Sequence, residues 1–299
     1  MTDSSGISFT KMQGTGNDFL VVDNRSLQFS EDELSSFAAR WCPRRYGVGA
    51  DGLLALDHPE TAEADYRMHY VNADGSWATM CGNGARCLFR FARQRGFEAS
   101  ELVFDTDAGQ YRATRPDREV DHVRLFVPEI TDVQTDPALD GGVPAAVEAL
   151  VYAHAGTEHL VALVDDVDAI PVRDWGACLR SDPVLAPAGA NVNFAATTGE
   201  GEVTLRTYEK GVEGETLSCG TGVLAAAVVA EREGWIETDS PVQVHTKGGP
   251  LQVGIAHAGR GPDRYLEGPA VTVFRGTVPQ SGAGEGQATA SVAATSGCP

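Results

Sequence analysis

Between residues 84 and 95 the apolar positions Ala85, Leu88, Phe89 and Ala92 recur at helical spacing, with Arg86, Arg90 and Arg93 outside that face. The pattern predicts an amphipathic helix. The run 223–230 is apolar all round, which predicts a helix enclosed on every side. Both runs open with Cys-Gly-x-Gly, at Cys81 and Cys219. Both close on a glycine followed by an aromatic, Gly96-Phe97 and Gly234-Trp235. Each closing glycine stands 15 residues after its cysteine (81 to 96 and 219 to 234), a plausible helix stop. A single Cys-Gly-x-Gly is weak evidence and reads as a turn as readily as a site. A second copy 138 residues on (81 to 219), with a matched helix and stop, marks an internal repeat.

Around the first helix, runs rich in β-formers at 19–23, 66–71, 102–105 and 122–127 predict strands. Around the second, 150–153, 160–164, 203–208 and 242–246 do the same. Ser30-Glu31-Asp32-Glu33 is a capping box opening a peripheral helix to Trp41. The pattern is that of an α+β protein of two pseudo-symmetric halves, each a curved sheet wrapped on a central helix. The halves divide at about 1–128 and 129–269. From 280 to 299 the chain is mostly Gly, Ala, Ser and Thr, so this tail is expected to be disordered.

With 299 residues and 42% hydrophobic content, the chain can bury a sizeable core. No stretch has the length of a membrane span, and the first residues carry no secretion signal. A cytoplasmic location without membrane partners is expected. The net charge of −19 argues against nucleic-acid partners, because phosphate is repelled. Only Lys11, Lys210 and Lys247 are lysines. Such an acidic surface suits a salt-rich cytoplasm, where screening relieves self-repulsion; on that reading melting should move upward in molar salt. The six cysteines include no C-x-x-C pair, so neither a zinc ribbon nor a thioredoxin-type site is indicated. Cys42, Cys87 and Cys178 are assigned to packing, and Cys298 falls in the tail.

Cys81 and Cys219 are different, because each precedes a helix. A helix N-terminus presents free N–H groups and the positive end of its dipole, which lowers a thiol pKa and binds a carboxylate. Two such ends facing each other would grip one α-carboxylate and place a sulfur on either face of the neighbouring carbon. Inverting a stereocentre by deprotonation needs just that: a base on one face, an acid on the other, and fixed donors for the carbanion. Pyridoxal phosphate would need a Schiff-base lysine in a phosphate-binding context, and none is convincing here. No cofactor and no metal are expected. Neither copy fits a phosphate-loop or dinucleotide fingerprint in register. Gly14-Thr15-Gly16-Asn17-Asp18 and Asn72-Ala73-Asp74-Gly75 read equally well as turns.

The segments KMQGTGNDFLVVD (11–23), GVGADGLL (47–54), NADGSWATMCGNGARC (72–87), NVNF (191–194), YEKGVEGETLSCGTG (208–222) and EGPAVTVF (267–274) resemble the diaminopimelate epimerase family. The resemblance covers about residues 7 to 278. It implies barrel-like antiparallel sheets around central helices, with a final strand at about 270–278 returning to the N-terminal half. It implies Cys81 and Cys219 as the acid/base pair and Gly82, Asn83, Gly220 and Thr221 as donors to the α-carboxylate. Asn17, Asn72 and Asn191 would hydrogen-bond the substrate, and Glu209 would receive its α-ammonium. His159, with Glu209, would tune the thiols. The implied reaction is interconversion of L,L- and meso-2,6-diaminopimelate, towards lysine.

Three positions depart from the family pattern. Thr157-Glu158-His159 replaces the usual Asn-Pro-His, Lys210 replaces an arginine, and Gly52 stands where many relatives carry a larger residue. All three bear on substrate grip, and lysine lacks the two-pronged contact of arginine. The alternative is therefore a racemase or epimerase of the same fold acting on another amino acid, such as a histidine or proline derivative. A thiol redox sensor or binding module is the reading from another class. Two facing thiols would also be open to oxidation, so activity is expected to need a reductant. The partner expected is a small amino-acid substrate; assembly as a homodimer is left open.

Overall fold

The structure, a computed structural model, describes residues 6–116, 121–237, 241–255 and 264–280. The tail expected to be disordered lies, except for Gln280, outside the described residues, as does Cys298. The first part of the chain runs β1 (Ile7–Gly14), β2 (Asn17–Asp23), α1 (Asn24–Leu27), α2 (Glu31–Trp41), β3 (Gly52–Asp57), β4 (Tyr66–Asn72), β5 (Trp77–Ala78), α3 (Gly82–Gln94), β6 (Glu101–Thr106), β7 (Gly109–Thr114) and β8 (His122–Phe126). The second runs β9 (Thr131–Thr135), β10 (Ala149–His154), β11 (Glu158–Leu163), α4 (Val172–Arg180), β12 (Asn191–Gly199), β13 (Glu202–Glu209), β14 (Gly214–Thr216), α5 (Gly220–Arg232), β15 (Val242–Thr246), β16 (Gly249–Gly254), β17 (Tyr265–Pro269) and β18 (Val271–Val278).

Strand pairing repeats. In the first part β1–β2, β3–β4, β4–β5, β6–β7 and β7–β8 are antiparallel, while β2–β3 and β4–β6 are parallel. In the second, β10–β11, β12–β13, β13–β14, β15–β16 and β16–β17 are antiparallel, and β11–β12 and β13–β15 parallel. Each sheet is thus mostly antiparallel with two parallel pairs. β8 pairs with β17, joining the two. β9 pairs with β10, and β18 with β1, so each series gains one strand that follows the last strand of the other.

Residues alternate between two apolar layers, which accounts for the nearly continuous hydrophobic runs. Phe19 and Val21 of β2 pack inward with Leu88, Phe89 and Ala92 of α3, while Leu20 and Val22 face Leu34, Phe37 and Ala38 of α2. Val161 of β11 packs with Val223 to Ala230 of α5, while Leu160 and Ala162 face Val172 and Leu179 of α4. The helices α3 and α5 each span 13 residues. They end before Gly96 and Gly234, both at positive φ, the left-handed backbone that stops a helix. Ser30 and Glu33 form the predicted capping box of α2. No helix among the described residues is long and apolar enough to cross a membrane.

One residue departs from the helical-face reading. Arg86, placed outside the apolar face of α3 by its spacing, is completely buried.

Candidate active site

Cys81 is the N-cap of α3 and Cys219 the N-cap of α5. The Gly84 N–H donates to Cys81 Sγ (3.4 Å), and Cys219 Sγ lies 3.5 Å from the Thr221 hydroxyl. The two helix ends abut. A Cβ added at Gly220 would stand 3.9 Å from Asn83 Oδ1 and 4.0 Å from Gly82 Cα. The structure therefore brings Cys81, Gly82, Asn83, Cys219, Gly220 and Thr221 to one seam.

Asn17 closes one side of it. Its Nδ2 donates to Asp51 Oδ2 (2.7 Å), which turns Oδ1 towards the Cys81 thiol (3.5 Å) and Asn83 Nδ2 (3.4 Å). Next to it, burial pushes the Asp18 carboxyl up, but hydrogen bonds from Arg44 and Lys11 outweigh this and hold it at about 2.

Both thiols are pushed up, against the direction expected of a helix N-terminus. Burial takes Cys81 to about 11, opposed by the Gly84 N–H and reinforced by the Glu209 charge. Burial and Glu209 take Cys219 to about 12, against the Thr221 hydroxyl. Removing water from a sulfur outweighs two or three N–H dipoles. Glu209, the last residue of β13, has its own carboxyl pushed up by burial.

His159 is fully buried on β11, and among the described residues its side chain hydrogen-bonds to Asn193. Asn193 Nδ2 also donates to the Leu160 carbonyl (3.0 Å), and its Oδ1 accepts the Thr207 hydroxyl (2.9 Å). Because only Nδ2 can donate to a carbonyl, it also donates to His159 Nδ1 (3.1 Å). The imidazole proton is then on Nε2, which has no hydrogen-bond partner among the described residues. Burial, with the Lys210 charge adding, pulls this histidine down to about 3, so it is neutral. No hydrogen bond joins it to either sulfur among the described residues.

Asn191, Lys210 and Glu158 form a second cluster on the adjoining strands. Asn191 Oδ1 accepts the Lys210 N–H (3.0 Å), and its Nδ2 donates to the Glu158 carbonyl (3.3 Å). The Lys210 ammonium pairs with the Glu158 carboxylate, which also accepts the Thr157 hydroxyl (3.0 Å). Burial raises that carboxyl, but the lysine outweighs it and holds it at about 2. Asn72 makes no hydrogen bond to either cluster among the described residues, although the N–H of the next residue, Ala73, donates to the carbonyl of Asp51 (3.1 Å), the partner of Asn17. The Asn72 amide donates to Ser76 Oγ (3.0 Å) within the β4–β5 turn. At Gly52, an added Cβ would meet the Val71 carbonyl at 2.6 Å and the Tyr70 ring at 2.7 Å, so a larger residue has no room.

Sequence reasoning gave no site role to Asn193, Thr207, Asp51 or Arg86, and met Glu158 only within the Thr157-Glu158-His159 departure, without its pairing to Lys210. Asn193 had a usable signal, since it lies two positions after Asn191 on a strand, where side chains share a face. Arg86 had none, because helical spacing pointed it outward.

Repeated halves, each a mostly antiparallel sheet around a central helix, define the architectural class, and solved structures share that fold. A phenazine biosynthesis protein of the PhzF family from Bacillus anthracis superposes with a TM-score of 0.69 at 17% identity, over 92% of this chain and 99% of that one. A probable proline racemase from Agrobacterium radiobacter K84 superposes with a TM-score of 0.62 at 16% identity, over 92% and 93%. These likenesses show the fold. The particular family comes from sequence: the family model described as diaminopimelate epimerase matches residues 9–125 and 151–273. A diaminopimelate epimerase of Chlorobaculum tepidum is 39% identical over 268 residues, 89% of this chain and 99% of its own length. One from Methanothrix thermoacetophila is 39% identical over 279 residues, 91% and 96% respectively. The chain belongs to the diaminopimelate epimerase family and is an isomerase.

Proposed function

We propose that the chain interconverts L,L- and meso-2,6-diaminopimelate by a cofactor-independent proton transfer between Cys81 and Cys219, as a late step towards lysine. The observation that carries this reading is the abutment of the α3 and α5 N-termini, each capped by a cysteine. On this reading the chain works as two halves, 1–128 with the return of 270–278, and 129–269, each contributing one sulfur.

One cysteine, as thiolate, takes the α-hydrogen as a proton, leaving its electron pair on the carbon and the adjoining carboxylate. The other, as thiol, gives its proton to the opposite face. The sulfurs exchange protonation states, so the same pair serves both directions. A thiolate whose conjugate acid is pushed up by burial is a stronger base towards a carbon acid. The N–H groups of Gly82, Asn83, Gly220 and Thr221 hold the α-carboxylate, on which charge accumulates. Glu209 receives the α-ammonium, while neutral His159 and Glu209 set the polarity around the sulfurs. Asn17, Asn72 and Asn191 bind the remaining polar groups, with Lys210 at the distal carboxylate.

A second reading, an epimerase of another amino acid, is favoured by the Lys210–Glu158 ion pair, which occupies the cation assigned to that carboxylate. Incubating the reduced protein in heavy water with L,L-diaminopimelate, histidine or proline separates the two. Deuterium at the α-carbon of diaminopimelate alone supports the first reading, and exchange only into another amino acid supports the second. No exchange anywhere removes both.

A further inference from the structure

The two cysteines of the seam have different hydrogen-bond surroundings. At Cys81 the Gly84 N–H donates to Sγ (3.4 Å), and Asn17 Oδ1 stands 3.5 Å away on β2 as an acceptor. At Cys219 the neighbouring side chain is the Thr221 hydroxyl (3.5 Å), which rotates to donate or accept. Which end of its amide Asn17 shows to Cys81 therefore decides what that sulfur holds. The oxygen takes a hydrogen bond from a thiol, whereas the N–H groups would stabilise a thiolate.

That orientation is fixed from both ends. Asp51, directly before β3, carries a carboxylate, which only accepts. Its Oδ2 takes Asn17 Nδ2 (2.7 Å) and the Asp18 N–H (3.2 Å), and its Oδ1 takes the Arg44 guanidinium (2.8 Å). The Asp51 backbone is fastened as well. Its N–H donates to the Asp18 carbonyl (2.8 Å), and its carbonyl accepts the Ala73 N–H (3.1 Å). At the other end stands Arg86, completely buried, whose guanidinium only donates. Its Nη2 holds Asn83 Oδ1 (2.8 Å), so Asn83 presents Nδ2, and it does so to the same Asn17 Oδ1 (3.4 Å). Reversing the Asn17 amide would set its nitrogen against that of Asn83 and its oxygen against the carboxylate.

We propose that Asp51 is a positioning residue that, by orienting the Asn17 amide, keeps the proton on Cys81 in the resting protein. The inference rests on the two-cysteine reading above. With its proton on Cys81, the protein is poised for the stereoisomer whose α-hydrogen points at Cys219, and Cys81 supplies the opposite face. Burial acts in the same direction, pushing the Cys81 thiol up to about 11. Four other titratable groups bear on this sulfur. Glu209 of β13 disfavours its thiolate and Arg86 of α3 favours it, and Tyr70 of β4 and Cys219 also feel its charge.

The test is the S–H stretching band of Cys81 in the reduced full-length protein, isolated as the infrared difference from Cys81→Ala. At neutral pH the band is expected to be present and displaced to lower frequency by its hydrogen bond. Asp51→Ala frees Asn17 to turn, so the displacement should be lost. The pH midpoint for alkylation of Cys81 by iodoacetamide should also fall by about one unit or more. Asp51→Asn removes the same charge but keeps an oxygen for Asn17, and should leave band and midpoint close to those of the unaltered protein. A missing or undisplaced Cys81 band in the unaltered protein overturns the proposal, even if Asp51→Ala fails to fold. An unmoved band in folded Asp51→Ala overturns it too, as do equal shifts in the two variants, because Asp51 would then act through its charge alone. The band needs no substrate. A displaced band without deuterium exchange into any amino acid would remove the substrate reading and leave the placement of the proton standing.

Discussion

Asn83, two residues after the first cysteine, donates its side-chain amide to the carbonyl oxygen of Ser218, one residue before the second (3.4 Å). A second contact reinforces this tie. The Gly248 N–H donates to the Leu217 carbonyl (2.8 Å), and the Thr15 carbonyl lies so close that a Cβ on Gly248 would stand 1.9 Å from it. The Thr15–Gly16 turn is thereby wedged between Leu217 and Gly248. The clash would be with backbone, which cannot rotate away.

Gly248→Ala should therefore push the turn bearing Asn17 off the seam. If sulfur placement depends on that closure, kcat/KM should fall on the order of 10²-fold, the usual effect of a misplacement of about an ångström. The change should occur with an unaltered far-ultraviolet spectrum. Steady-state kinetics at near-normal rates would show that the wedge has no bearing on the reaction.

Single replacement of either cysteine tests the two-base scheme more directly. Cys81→Ala and Cys219→Ala should each reduce epimerisation about a thousandfold or more, because one face loses its proton carrier. The surviving thiol still reaches its own face. Each variant should therefore retain slow solvent exchange, with retention of configuration, at the stereoisomer whose α-hydrogen points at that sulfur. Chiral chromatography with deuterium counting would detect this; full epimerisation by either variant is incompatible with the scheme.

The legible parts of the fold were those with local signals. The repeat was visible because Cys-Gly-x-Gly, a helix and a terminal glycine recur at fixed spacing, and the structure starts α3 and α5 one residue after each cysteine. The expected strands coincide with β2, β4, β6, β8, β10, β11, β13 and β15. By contrast, β3, with the continuous run Gly52–Asp57, has no alternation because both of its faces are covered. The helix α4 was missed because Pro171, its N-cap, supplies no side-chain hydrogen bond and left no capping signal. Arg86 and the Asn193–His159–Thr207 network are tertiary facts. Their meaning depends on which chain segments close over them, and a one-dimensional pattern does not carry that.

Glu158 offers a test of substrate grip. Its carboxylate neutralises Lys210, held in turn by Asn191. Glu158→Gln should release the ammonium for a substrate carboxylate and lower KM for diaminopimelate by about fivefold, the scale of a partly exposed ion pair. A raised KM would mean instead that Glu158 itself contacts the substrate.

His159 makes a prediction about stability that needs no substrate. Its folded-state pKa, pulled down by burial to about 3, lies below the ordinary value of 6.5. Between these values the unfolded chain binds a proton that the folded chain does not. Stability from this residue is thus complete above pH 6.5 and declines as pH falls towards 3, by up to about 1.4 kcal/mol per pH unit. Asp18 and Glu158, both held at about 2, push in the same direction at lower pH, and the raised carboxyl of Glu209 pushes the opposite way. These contributions are common to the protein and its His159→Gln variant, in which the glutamine oxygen can still accept from Asn193. Subtracting one urea-denaturation series from the other isolates the histidine. The stability advantage of the unaltered protein over His159→Gln should shrink steadily from pH 7 to pH 4.5. A gap independent of pH would mean that His159 takes up its proton as readily in the folded chain as in the unfolded one, and that burial does not hold its imidazole neutral.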